Sequence, residues 1–283
     1  MSAEIIMSLS KIELADLKRA KALLEKPSLA ARASAMLGSP IDKGVKMMPE
    51  RFQKAVHGAS EAAMMKALDV AVKSHGIDGK MASKDRLHKF AAAASGAVGG
   101  AFGLAALAVE LPISTTIMLR SIADIAKSEG ENIQHIETKL ACLMVFALGG
   151  RTAKDDAAES GYFAARAAMA GAVTEASKFL AEKGFSKIGA PALVRLVSLI
   201  SSRFGIVVSE KAAMQAIPIL GAATGALINT LFIEHFQNMA RGHFTVRRLE
   251  KIHGAEVVKL AYQSADVGSG NLDIRQFKPG LID

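Results

Sequence analysis

Between Lys89 and Glu110 the chain runs for twenty residues, 90–109, without a charge, and between Lys211 and Glu234 it does so again over 212–233. Segments so long and so free of charge must be hidden from water, inside a protein core or inside lipid. The first holds nine alanines and four glycines against six Phe, Val or Leu. Those six contribute only about −2 to −4 kcal/mol toward membrane insertion, and glycine erodes helix stability by ~1 kcal/mol each. The second has eight Leu, Ile or Phe, interrupted by Gln215, Pro218 and Asn229. Neither stretch contains the Trp or Tyr that anchors a span at the interface. The pairs Gly96/Gly100, Gly99/Gly103 and Gly221/Gly225 are spaced by four, which lets a second helix approach one face closely. The expectation is that the two stretches pack on each other in a soluble or peripheral domain. Integral insertion through 90–109 and 212–233 is the alternative.

Hydrophobic residues make up 51 % of the 283, charged residues 22 % and aromatics 5 %. An apolar fraction built on alanine and leucine, with few β-branched runs, predicts an all-α chain folded as a single compact helical domain with the two Gly/Ala-rich helices at its centre. From Ser10, Ile12, Leu14, Leu17, Ala20 and Leu24 recur at helical spacing among Lys11, Lys18, Arg19 and Lys21. A second amphipathic helix is predicted over 50–74. Leu111-Pro112 reads as a restart, with a helix from Pro112 to about Gly130. Further helices are predicted over 135–148, 156–169, 172–182 and 190–204, with Gly171 as a break. The organisation is a basic N-terminal part (1–67), a helical domain (68–262) and an irregular tail (263–283).

The net charge is +8 and uneven: residues 1–89 carry 16 Lys/Arg against 10 Asp/Glu, the remainder 19 against 17. Such an excess suits an anionic membrane surface. The helix with Arg241, Arg247, Arg248 and Lys251 has an apolar stripe and is the candidate membrane-surface element. Nucleic-acid binding is not expected, because stacking aromatics are missing from the basic regions. The single Cys142, within LACLMVFAL, excludes an internal disulfide and reads as a buried thiol. The opening MSAEIIMSLSKIELADLKRA lacks an apolar run of signal-peptide length, which predicts a cytoplasmic setting.

Glu110, Arg120 and Asn229 are polar groups in apolar surroundings and must find partners. They form either a structural ion pair with a hydrogen-bonded amide or a constellation that binds a head group. Arg120 also has Asp124 four residues on. His57/Glu61 and Glu131/His135 each put two ligand types on one helical face, but a metal site needs three or four. His235 and His243 read as interface histidines. No nucleophile elbow and no phosphate-binding loop occurs, so no cofactor or metal is expected. A helical hydrolase using Glu110 or a His/Glu pair is the catalytic alternative.

The run LAVELPISTTIMLRSIADIAKSEG (107–130), followed by AIPILGAATGALINTLFIEHFQNMARGHFTVRRLEKIHG (216–254), resembles the EcsC family of bacterial proteins. The likeness extends from about Leu68 to Tyr262. Carried over by resemblance are Glu110, Pro112 and Arg120, then Pro218, Gly221, Gly225 and Asn229. The family's founding member is encoded beside the two subunits of an ABC-type transporter. What the resemblance implies is therefore a setting and no reaction. The expectation is a non-enzymatic protein at the inner face of a membrane, supporting a transport or lipid-handling assembly, with an ABC-type transporter as its partner.

Overall fold

The computed structural model describes residues 9–25, 29, 45–72, 103–150, 152, 160–184, 189–215 and 221–265, with the backbone alone at 72, 103–109 and 221–227. These form eight helices and no strand: α1 (Lys11–Leu24), α2 (Glu50–Val72), α3 (Gly103–Ser128), α4 (Ile136–Leu148), α5 (Gly161–Lys183), α6 (Pro191–Gln215), α7 (Gly221–His253) and α8 (Ala255–Ser264). The all-α expectation holds. The candidate glycines Gly96, Gly99 and Gly100, Pro218 and the tail from 266 lie outside the described residues.

The centre of the bundle is α4, where every residue from Thr138 to Leu148 is buried. A helix apolar on all sides belongs where neighbours surround it, and α2, α3, α5, α6 and α7 all pack on it. Phe146 meets Phe204 of α6 and Phe236 of α7, each at 5.3 Å between ring centroids. Cys142 lies in this core, fully buried, and desolvation pushes its thiol up to about 12. Among the described residues LACLMVFAL lies at the centre; residues 90–102 and 216–220 of the two Gly/Ala-rich stretches lie outside them.

The flanking helices α3 and α7 pack together and run parallel. Gln237 reaches Ser121, Thr245 reaches Glu129 and Arg247 reaches Glu131, always 116 residues apart. A constant offset means two helices in one direction with a fixed register. These contacts join their C-terminal halves, whereas Gly103, Gly221 and Gly225 sit in the opening turns. The close approaches occur at other glycines. A Cβ on Gly150 would fall on the Arg203 carbonyl, one on Gly149 would lie 2.7 Å from the Phe236 ring, and one on Gly242 would lie 2.6 Å from Leu24. Gly242 is where α1 crosses α7.

Two breaks expected from the sequence do not occur. Helix α3 continues through Pro112, although an interior proline costs ~3 kcal/mol through its missing N–H and ring clash. Buried Leu111, Met118, Leu119, Ile122 and Ala126 offset that cost. The Ser114 and Thr116 hydroxyls donate back to the Leu111 and Pro112 carbonyls within the same turn. Helix α5 likewise continues through Gly171. Stretch 212–233 is shared between the end of α6 and the start of α7. Among the described residues it is α6, Pro191–Gln215, that is long and apolar enough to cross a membrane, and half of its apolar window is buried in the bundle.

The glycines give a direct test of this packing. Gly171 has open space where a Cβ would sit, so Gly171→Ala is expected to raise stability by ~0.5–1 kcal/mol. Gly150→Ala must displace backbone and is expected to cost ~2 kcal/mol or more. Chemical denaturation of the two variants beside wild type checks the contrast.

Candidate functional site

Polar side chains gather at three places between the helices. The first is the junction of α3, α6 and α7. Lys211 of α6 is only 1 % exposed, and its ammonium lies 2.6 Å from Glu110 Oε1 and 4.6 Å from the centre of the Phe232 ring. Glu110 therefore finds its partner on another helix, in Lys211. Ten residues separate Glu110 and Arg120 on one helix, about 15 Å along the axis. Asn229, one turn before Phe232, is buried with its Oδ1 unpartnered, as is the Thr115 hydroxyl. Glu110 and Asn229 thus sit at the same junction and Arg120 farther along α3. Lys211 was missed because it sits at the edge of an uncharged stretch, where a lysine reads as a boundary. The apolar residues on both sides of it were the available signal.

The second place joins α1, α5, α7 and α8. Arg166 makes a two-pronged ion pair with Glu250 (2.7 and 3.0 Å) and also donates to the Tyr162 oxygen at 3.1 Å. That leaves the Tyr162 hydrogen for His243 Nδ1, 2.9 Å away, so Nε2 carries the imidazole proton and is buried without a partner. Burial, reinforced by Arg166 and Arg247, holds His243 well below its ordinary pKa, as a neutral ring. The carboxylate of Glu25, at the end of α1, accepts from Ser160 Oγ (2.9 Å), the Tyr162 amide (3.3 Å) and the Tyr262 hydroxyl (3.1 Å). An anion at the first turn of α5 is favoured by the free N–H groups there. Desolvation raises the pKa of both tyrosines. Arg166 is the one cation in the alanine-rich first half of α5, and Tyr162 four residues earlier was the sign that it turns inward.

The third place lies along α7. Arg247 Nε is 2.9 Å from Glu131, and Lys251 reaches the other oxygen of the same carboxylate at 2.9 Å. Arg248 joins Glu129 at 2.8 Å and Asp16 of α1 at 2.9 Å. Arg241 donates to Asn238 at 3.1 Å. Burial alone would raise the Glu131 pKa, but Arg247, Lys251 and the Thr138 hydroxyl outweigh it and lower it. Gly130, at φ +81°, makes the turn that brings Glu129 and Glu131 to α7. The four cations predicted for a membrane surface are thus engaged in contacts within the fold, and only Lys251 among them is exposed.

The paired His/Glu motifs do not converge. Glu131 is occupied as above, and His135 Nε2 lies 3.2 Å from the Asn132 amide. His57 and Glu61 stay on α2, and His235 contacts the Gly149 carbonyl at 3.0 Å. Among the described residues no group of three His, Cys, Asp or Glu is placed to hold a metal ion. A cleft lined by Glu25, Tyr162, Gly150 and Arg203 offers about 10 Å³, room for one water.

A buried cation left without its carboxylate is costly, typically ~3–5 kcal/mol. Glu110→Gln is therefore expected to destabilise by about that much. Glu110→Gln combined with Lys211→Met should recover most of the loss. A double-mutant cycle by urea denaturation measures it, and simple additivity would show that the two side chains do not interact.

No curated protein and no solved structure matches the chain. The EcsC protein family does, over residues 11–249. The match starts well before Leu68 and takes in α1 and α2, in keeping with Asp16 and Glu25 of α1 being built into the polar contacts above. With most of its length covered by that match, the chain belongs to the EcsC family.

Proposed function

We propose that the protein is a non-catalytic helical module that associates peripherally with an anionic membrane surface on the cytoplasmic side. There it supports a transport or lipid-handling assembly, with an ABC-type transporter as the partner suggested by the family's founding member. The observation that carries this reading is the exposure of the described cations of α1 and α2. The arginines of α7 are engaged inside the fold, whereas Lys11 and Lys18 on α1 and Arg51 on α2 are exposed, as are Arg19, Lys54 and Lys66, which also pair with Asp16, Glu50 and Asp69 on their own helices. Each exposed basic residue near anionic lipid contributes about 1 kcal/mol. The reading also draws on the interior. The Glu110 and Glu131 carboxylates, which a hydrolase would need free, are each committed to a cation.

Purified protein is expected to sediment with vesicles containing phosphatidylglycerol, to lose that association as salt is raised, and to ignore vesicles of phosphatidylcholine alone. Equal sedimentation with both vesicle types overturns the proposal. So does retention in cell membranes after alkaline extraction, which would mean integral insertion.

A further inference from the structure

Helix α1 is amphipathic, but its apolar side is already spent. Leu17, Ala20 and Leu24 are buried, and the helix lies along the α7–α8 hairpin. Glu13 meets His253, Asp16 meets Arg248 and Leu24 meets Gly242, so α1 runs antiparallel to α7. Lys21 donates to the Gln263 and Ala265 carbonyls at the far end of α8, so α1 and α8 run parallel. What α1 offers to the outside is the opposite face: Lys11, Ile12, Ala15, Lys18 and Arg19.

Two features of that face are unusual. Ile12 is 75 % exposed, and Ile252, next to the His253 that holds Glu13, is 60 % exposed. Large aliphatic side chains standing in water beside cations are what an interfacial anchor looks like. The carboxylates near this face are engaged as well. Glu13 is held by His253 and by the Ser10 amide, and Asp16 is shared by Arg19 and Arg248. Lys11 and Lys18 have no carboxylate partner among the described residues.

We infer that the outer face of α1, with Ile252 at its edge, is the surface that seats on an anionic bilayer: Lys11 and Lys18 against lipid phosphates and Ile12 dipping into the boundary of the acyl region. The inference rests on the peripheral reading above and specifies which surface serves it. Charge complementarity selects a lipid surface, and the face lacks the aromatic side chains that stack on nucleic-acid bases.

The test uses the full chain labelled at Ile12→Cys with an environment-sensitive fluorophore. Cys142 is buried with a raised thiol pKa and does not compete for the label. With vesicles of phosphatidylcholine and phosphatidylglycerol in equal parts, emission from position 12 should shift to the blue. A label at Thr174→Cys, exposed on α5, should stay unchanged. The double substitution Lys11→Gln, Lys18→Gln should weaken vesicle binding about thirtyfold, and Lys178→Gln, Lys183→Gln should leave it as it is. If unsubstituted protein ignores these vesicles, the peripheral reading itself fails. If it binds, but the label at 12 is silent or the α1 lysine variant binds unweakened, the surface assigned here is wrong and the peripheral reading stands.

Discussion

A charge that folding takes out of water has to be met by an opposite charge, and in this molecule that requirement fixes how the helices sit. Arg248 holds Asp16 of α1 and Glu129 after α3. Arg247 and Lys251 share Glu131. Arg166 of α5 holds Glu250. Helix α7, 33 residues long, is thus tied by ion pairs to α1, to the turn after α3 and to α5. Apolar burial around α4 supplies the drive to collapse, but it does not by itself choose one sliding register. Part-buried pairs do, because a shift of one turn, about 5.4 Å, would strand each charge.

Helix α1 shows how this requirement shapes a surface. Its apolar stripe is used in the core, and its Asp16 and Glu25 are used as partners for other helices. Its outward face carries Lys11, Lys18 and Arg19 beside Ile12 and Ala15. Folding therefore separates the molecule's charges: the acids near α1 are neutralised from behind by α7, and the lysines in front stay unmatched. The outer face of α1 therefore presents Lys11, Lys18 and Arg19 beside carboxylates that are already held by α7.

The sequence carried the fold class plainly, because alanine-rich helical periodicity leaves few alternatives. Amphipathic α1 was legible, as was the buried Cys142. Helix ends were less so. Proline and glycine were read as breaks, yet Pro112 and Gly171 lie inside helices, since tertiary packing outweighs a local cost of ~1–3 kcal/mol. The site was harder still. Glu110 and Asn229 were recognisable as polar groups in apolar surroundings, but Lys211, the true partner of Glu110, lies 101 residues away. Periodicity along one helix cannot show which distant charge completes a pair. The same limit applied to Arg247 and Arg248, which look like a surface patch until Glu131, Glu129 and Asp16 are placed beside them.

The claim most open to direct measurement is that Arg248 holds α1 in place and does not serve lipid. Amide hydrogen exchange in an Arg248→Met variant decides it. The account predicts markedly faster exchange along α1 while α4 keeps its protection. Unchanged exchange in α1 would contradict it, and the guanidinium would then have to be regarded as available for contacts outside the fold.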